Sequence, residues 1–167
     1  MTEMGTELRI AKFELAVARA TRADQAWEAL QTLSGAVAGF KLFTVMTVDM
    51  VLGLARRAYT SHPAEYPVSG TKPINQDAWF DIVHGQHRLF VANSIGDIAR
   101  VFPDHQKIWS MGCGSVVNLP VIVAGDLAAT VNMLHEENYY TPERVALIEK
   151  YLTLPARRAY LTAASLS

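Results

Sequence analysis

The chain has 167 residues, half of them hydrophobic and 19% charged, with a formal net charge of -1. That length predicts one domain over residues 1–167, able to bury about two-thirds of its unfolded surface; the near-zero charge excludes electrostatic steering to nucleic acid or an anionic membrane. The charged fraction, below the roughly 25% of an average soluble domain, predicts a further buried surface such as a homodimer contact.

In chain order, Leu8, Ala11, Leu15 and Ala18 mark a first amphipathic helix. Thr21 and Asp24 read as the cap of a second that carries Trp27, Leu30 and Leu33, so the N-terminal helices span about residues 7–34. This segment has no signal-peptide core, and no apolar run approaches the roughly 18 residues of a membrane span, so a cytoplasmic protein is expected. Phe40 to Asp49 and Leu52 to Thr60 are rich in β-formers and predict a hairpin. Its second arm carries Arg56 and Arg57, which point to opposite faces of a strand. Which of the two points inward stays open, with Arg57 the candidate: the inward arginine is placed to clamp a carboxylate near Tyr59 and Ser61, or else reaches the rim or pairs with Asp77 or Asp81.

A loop rich in proline, HPAEYPVSGTKPI, leads to a predicted short helix from Asn75 to Val83 and a strand from Arg88 to Ala92. Ser94 caps a helix from Ile95 to Phe102 that Pro103 ends, and Asp104 to Lys107 reads as a polar loop. Two β-rich runs, Val116 to Val123 and Leu127 to Leu134, flank Gly125-Asp126 and predict a hairpin with those two residues at the turn. That register sets Asn118 opposite Met133 and Val116 opposite His135 on one face, with Asn132 on the other; a bulge is expected at Pro120, which cannot donate to a ladder. Thr141-Pro142 opens a final amphipathic helix over about residues 142–164.

Chemistry-bearing residues are sparse. None of the five histidines has a metal-ligand spacing, so no metal and no cofactor are expected, and His84 and His87 straddle a glycine in a turn. Cys113, the single cysteine, excludes an internal disulfide. Beside glycines and within reach of His105 or His135 it is a candidate nucleophile, while burial as an inert thiol is the alternative. Asn118, Asn132 and His135 are polar residues within apolar strands and need buried hydrogen-bond partners, among which a ligand is one option.

The strand with NLPV, the glycine turn, the strand with ATVNMLH, the aromatic-Thr-Pro segment and the closing helix together resemble the C-terminal half of a GAF domain. The resemblance extends over about Ala20 to Ala164. It implies an α+β fold: a central antiparallel sheet, N- and C-terminal helices on one face, and short helices roofing a cavity on the other, the sheet and cavity occupying about residues 38–136. It implies a small-molecule sensory or regulatory domain acting through a homodimer or a partner protein, with Trp79, Phe80, Ile98 and Phe102 lining the cavity roof. The expected ligand set is Arg57, Tyr59, Ser61, Trp79, Phe102, Cys113, Asn118 and His135. The alternative is a cofactor-independent enzyme on the same fold, with Cys113 or His135 acting on a small carboxylate-bearing substrate. The family's free methionine sulfoxide reductases rely on several cysteines, its bilin-attaching members on a cysteine followed by histidine in a helical context, and its cyclic-nucleotide binders on an NKFDE pattern; this chain matches none of these.

Overall fold

A computed structural model describes residues 2–167. Two helices, α1 (Glu3–Arg19) and α2 (Ala23–Val37), precede β1 (Leu42–Asp49), β2 (Leu54–Thr60) and a two-residue β3 (Lys72–Pro73). A single turn, α3 (Ala78–Phe80), runs on into a π-helical turn at Asp81–Gly85, followed by β4 (Phe90–Ala92), α4 (Ile95–Ala99) and α5 (His105–Ser110). The chain finishes with β5 (Ser115–Val123), β6 (Asp126–His135) and α6 (Pro142–Ser165). Among the described residues no helix is long and apolar enough to cross a membrane.

The strands form one antiparallel sheet of order β3-β2-β1-β6-β5-β4. Strand alternation divides its central residues cleanly between two faces. Phe43, Val45, Val117, Leu119, Val131 and Met133 point to one face and pack with Phe13, Trp27, Leu30, Leu33, Ile148 and Leu152 of α1, α2 and α6. On the other face lie Thr44, Met46, Val116, Asn118, Thr130, Asn132 and Leu134, under a roof built from α3, α4, α5 and the loop after β2. The fold is therefore α+β, with the terminal helices on one side and short elements on the other.

Local chemistry explains where these elements begin and end. The α1 cap is Thr2, whose hydroxyl accepts from the Gly5 N–H at 3.1 Å. At α2 the cap differs from the expected Thr21 and Asp24: the Gln25 side-chain oxygen reaches back to accept from the N–H groups of Thr21 and Arg22 at 2.8 and 3.1 Å. The helix expected from Asn75 begins only at Ala78, because the Asp77 carboxylate accepts from the Phe80 N–H and fixes the start. Residues 105–107, read as loop, belong to α5. Tyr139 and Tyr140, just before α6, donate to the carbonyls of Ala38 and Gly39 at 2.7 and 3.0 Å, tying the start of α6 to the junction of α2 and β1. Gly39, at φ +91°, is required there, since a Cβ would collide with the Tyr139 hydroxyl.

Two register details position the site. The final turn is centred on Ala124 and Gly125, both at positive φ (53° and 84°), with Val123 paired to Asp126. That is one residue earlier than Gly125-Asp126, and an irregularity between Val121 and Ile122, where Ala128 is the extra residue of β6, shifts the pairing once more. Asn118 consequently faces Asn132 instead of Met133, and Ser115 instead of Val116 faces His135. Pro120 needs no bulge: it pairs with Thr130, and β4 covers only Val116 to Asn118, leaving β5 an open edge where a missing N–H costs no ladder bond. The second detail is in β2, where Val45 pairs with Tyr59 but Met46 with Arg57, so Ala58 is an inserted residue. The bulge turns Arg57 and Tyr59, two positions apart, to opposite faces.

Candidate functional site

Between the sheet and its roof lies a cavity of about 120 Å³. It far exceeds the roughly 10–15 Å³ that one water needs and is smaller than the roughly 300–1,000 Å³ of a drug-sized pocket, a size suited to a small metabolite. Its floor is β1, β6 and β5, and its wall combines Met46, Trp79, Phe102, Ile108, Val116 and Leu134 with a line of polar groups.

The polar line is a connected chain of hydrogen bonds. The Trp79 indole N–H donates to Asn118 Oδ1 at 2.9 Å, Asn118 Nδ2 donates to Asn132 Oδ1 at 2.6 Å, and Asn132 Nδ2 donates to Thr44 Oγ1 at 3.1 Å. Buried amides satisfied in this way cost little and hold one another's rotamers fixed. Thr130, fully buried on the same floor, is different: its hydroxyl has no hydrogen-bond partner. A buried polar group left alone costs about 1–3 kcal/mol, which a hydrogen bond to this hydroxyl would remove.

One end of the cavity is closed by Arg57, Tyr66 and Asp104. The Arg57 guanidinium lies over the Tyr66 ring, 3.6 Å from its centroid, and Nη1 donates to the Pro67 carbonyl at 2.7 Å. Arg57 Nη2 is 3.6 Å from Asp104 Oδ2, and the Tyr66 hydroxyl donates to the same carboxylate. Burial, and then this bond to Asp104, pushes the Tyr66 phenol well above its ordinary pKa, with Arg57 opposing, so it stays protonated as a donor. Arg57 thus pairs with Asp104 and with neither Asp77 nor Asp81, and it fastens the loop after β2 across the opening. Arg56 is exposed on the opposite side.

Of the residues singled out in the sequence, Arg57, Trp79, Phe102 and Asn118 line the cavity. Tyr59, Ser61, Cys113 and His135 do not. The Ala58 bulge sends Tyr59 to the helical face, where it packs edge-on to Phe43 and its hydroxyl donates to Gln31 at 2.5 Å. The Ser61 hydroxyl accepts from the Phe43 N–H at 2.9 Å and closes the end of the β1–β2 ladder. Cys113 is fully buried among Leu42, Ile98, Ile108 and Leu134, and burial pushes its thiol up, with Lys41 only partly opposing. That environment suppresses the thiolate a nucleophile needs. His135, on the helix-facing parity of β6, stacks on the Tyr139 ring at 3.5 Å, and its Nδ1 accepts from the Glu136 N–H at 2.9 Å. Burial, followed by the Lys41 charge, lowers its pKa and favours the neutral ring. Of the other roof residues expected to line the cavity, Phe80 and Ile98 pack in the flanking apolar clusters. Among the described residues no group of three or more His, Cys, Asp or Glu side chains could hold a metal.

Thr44, Tyr66, Lys72, Asp104 and Thr130 belong to the cavity and carried no signal strong enough to single them out. Asn132, assigned to the wrong face by the register, belongs there too.

No protein-family model matches the sequence, and no curated protein matches it. Solved structures do. The GAF domain of a two-component sensor histidine kinase from Bacillus halodurans superposes with a TM-score of 0.67 at 10% identity, over 88% of this chain and 97% of that one. The GAF domain of a phosphoenolpyruvate-protein phosphotransferase from Coxiella burnetii gives 0.66 at 15% identity with both chains fully covered. A free methionine-R-sulfoxide reductase from Neisseria meningitidis, solved with its substrate, gives 0.65 at 14% identity over all of this chain and 96% of that one. At these identities the likeness establishes the fold: the chain has the architecture of a GAF domain. Its neighbours of that architecture include sensory and signalling proteins.

Proposed function

We propose that this chain is a sensory or regulatory domain that binds a small molecule in the cavity between sheet and roof. The observation that carries this reading is the fully buried Thr130 hydroxyl, without a hydrogen-bond partner on the floor of a cavity whose asparagines are linked to Trp79 and Thr44 and whose walls are largely apolar. The domain would act in the cytoplasm and signal through a homodimer or a partner protein. Supporting the homodimer are the exposed leucines of the helical layer, Leu8 and Leu15 on α1 and Leu154 and Leu161 on α6, spaced two turns apart on each helix.

An enzymatic reading on Cys113 or His135 has less support. Both lie outside the cavity, one as a buried thiol in an apolar cluster and the other as a neutral ring stacked on Tyr139.

Native mass spectrometry of the purified protein, paired with the denatured spectrum and a thermal-shift screen of a metabolite library, tests the binding reading. A non-covalent mass excess or stabilising hits are expected, and both should vanish in Met46→Trp, which fills the cavity. Thr130→Val serves as the milder check, since it removes no existing hydrogen bond. Wild-type protein with no bound mass and no hits would refute the reading.

A further inference from the structure

We infer that the occupant of the cavity is a small monocarboxylate with an apolar body, its carboxylate seated on the hydroxyls of Thr44 and Thr130. This rests on the reading of the cavity as a binding site and adds the chemistry of the ligand.

The direction of the hydrogen-bond chain decides the first part. An indole N–H can only donate, so Asn118 must turn its oxygen to Trp79 and its nitrogen to Asn132. Asn132 must then accept with its oxygen and donate with its nitrogen to Thr44. Thr44 Oγ1 therefore receives a hydrogen, and among the described residues its own hydroxyl hydrogen goes to no acceptor. The Thr130 hydroxyl is likewise unspent. Each asparagine nitrogen also keeps a second hydrogen beyond the one it donates along the chain. The donor-only indole at one end fixes this direction and leaves hydrogens unspent on the Thr44 and Thr130 hydroxyls and on both asparagine nitrogens.

Thr44 pairs with Asn132 and Thr130 with Met46, so the two hydroxyls sit on neighbouring central strands, two register positions apart on one face. A ligand that takes the hydrogens of both hydroxyls needs two acceptor atoms. A carboxylate supplies them as its two oxygens, and a bond from a neutral donor to an ionised acceptor is about twice as strong as a neutral one.

Charge decides the second part. The cavity is lined by two cationic side chains, Arg57 and Lys72, and one acidic one, Asp104. Arg57 and Asp104 face each other, and among the described residues Lys72 has no ion-pair partner. Lys72 is exposed, so it favours an anion over a cation through an attraction that salt screens. Most of the remaining wall, Met46, Trp79, Phe102, Ile108, Val116 and Leu134, is apolar; Ser69 accepts from the Arg57 N–H and Tyr66 is held by Asp104. The volume limits the apolar body of the ligand to a short aliphatic chain or a single ring.

Titration calorimetry with benzoate, butyrate and hexanoate, against benzamide, hexanamide and benzylamine as neutral and cationic counterparts of similar shape, tests the assignment. At least one carboxylate should bind, with its amide and the amine weaker by about tenfold or more. Thr130→Val should weaken that carboxylate by about tenfold while leaving the melting temperature of the free protein unchanged or raised. Lys72→Gln should weaken it less, and the difference should shrink as salt is added. Binding of an amide or the amine as tightly as the carboxylate, or indifference of the carboxylate to Thr130→Val, would overturn the inference and leave the cavity reading standing. If none of the carboxylates binds at millimolar concentration the inference falls; if the metabolite screen is empty as well, the cavity reading falls with it.

Discussion

At the scale of single residues, the molecule turns on one indole. Trp79 reaches down from α3 to the sheet, and its N–H is what orders Asn118, Asn132 and Thr44 into one direction. Replacing Asn118 by leucine takes the partner from both the indole N–H and the Asn132 oxygen, and should cost about 2–4 kcal/mol in urea denaturation. Trp79→Phe strands one acceptor only. Because the two residues share a bond, the double variant should be more stable than the sum of the single losses implies, by about 1 kcal/mol. Strict additivity would mean that the bond contributes nothing. Asn118 could be suspected from the sequence because an amide amid β-branched residues has to be satisfied. Thr130 could not, because threonine is an ordinary strand former and nothing in the stretch LAATVNML separates a satisfied hydroxyl from an orphaned one. Tyr66 and Asp104 lie in segments without periodicity, and only the folded chain brings them together.

At the scale of elements, two insertions of one residue decide what faces the cavity. The terminal turn uses Ala124 at φ 53°, a conformation that costs a side-chain-bearing residue about 1 kcal/mol or more. Ala124→Asn creates the Asn-Gly pair that such turns favour and should raise stability by about 0.5–1 kcal/mol, read as a higher melting temperature. A lower one would show that the turn is not of this type. The existence of both central hairpins, the closing helix and the layering were legible because alternation and capping are local signals. The registers were not, since Ala124 and Ala58 carry no mark of the special geometry they adopt, and a slip of one residue exchanges the two faces. For the same reason the sequence grouped Tyr59 with Arg57, and His135 with Asn118, across faces the folded sheet keeps apart.

At the scale of the whole molecule, the sheet separates a ligand side from a helical side, and only the helical side carries a stripe of exposed leucines. The Glu14–Arg158 pair at 3.2 Å joins α1 to α6 next to these positions. If this layer is the homodimer contact, Leu154→Glu with Leu161→Glu should convert a dimer to a monomer in sedimentation velocity and leave the thermal response to cavity ligands in place. A wild-type protein that sediments as a monomer would remove the homodimer from the proposal, and an intact dimer in the double variant would move the contact elsewhere.

The strand order has a consequence for how the chain is made. The central pairing of the sheet joins β1 to β6, Leu42 to Leu134 and Thr47 to Ala129, partners 92 and 82 positions apart. During synthesis β1 can find β2 early, but its other edge stays bare until β6 has emerged, and the aromatic and aliphatic residues of both its faces wait with it. Contacts of such long range place folding toward the slow end, milliseconds to seconds, and leave an uncovered strand edge in the meantime. The β1–β6 pairing of the cavity floor therefore cannot form before β6 is made, and until then the free edge of β1 is open to aggregation.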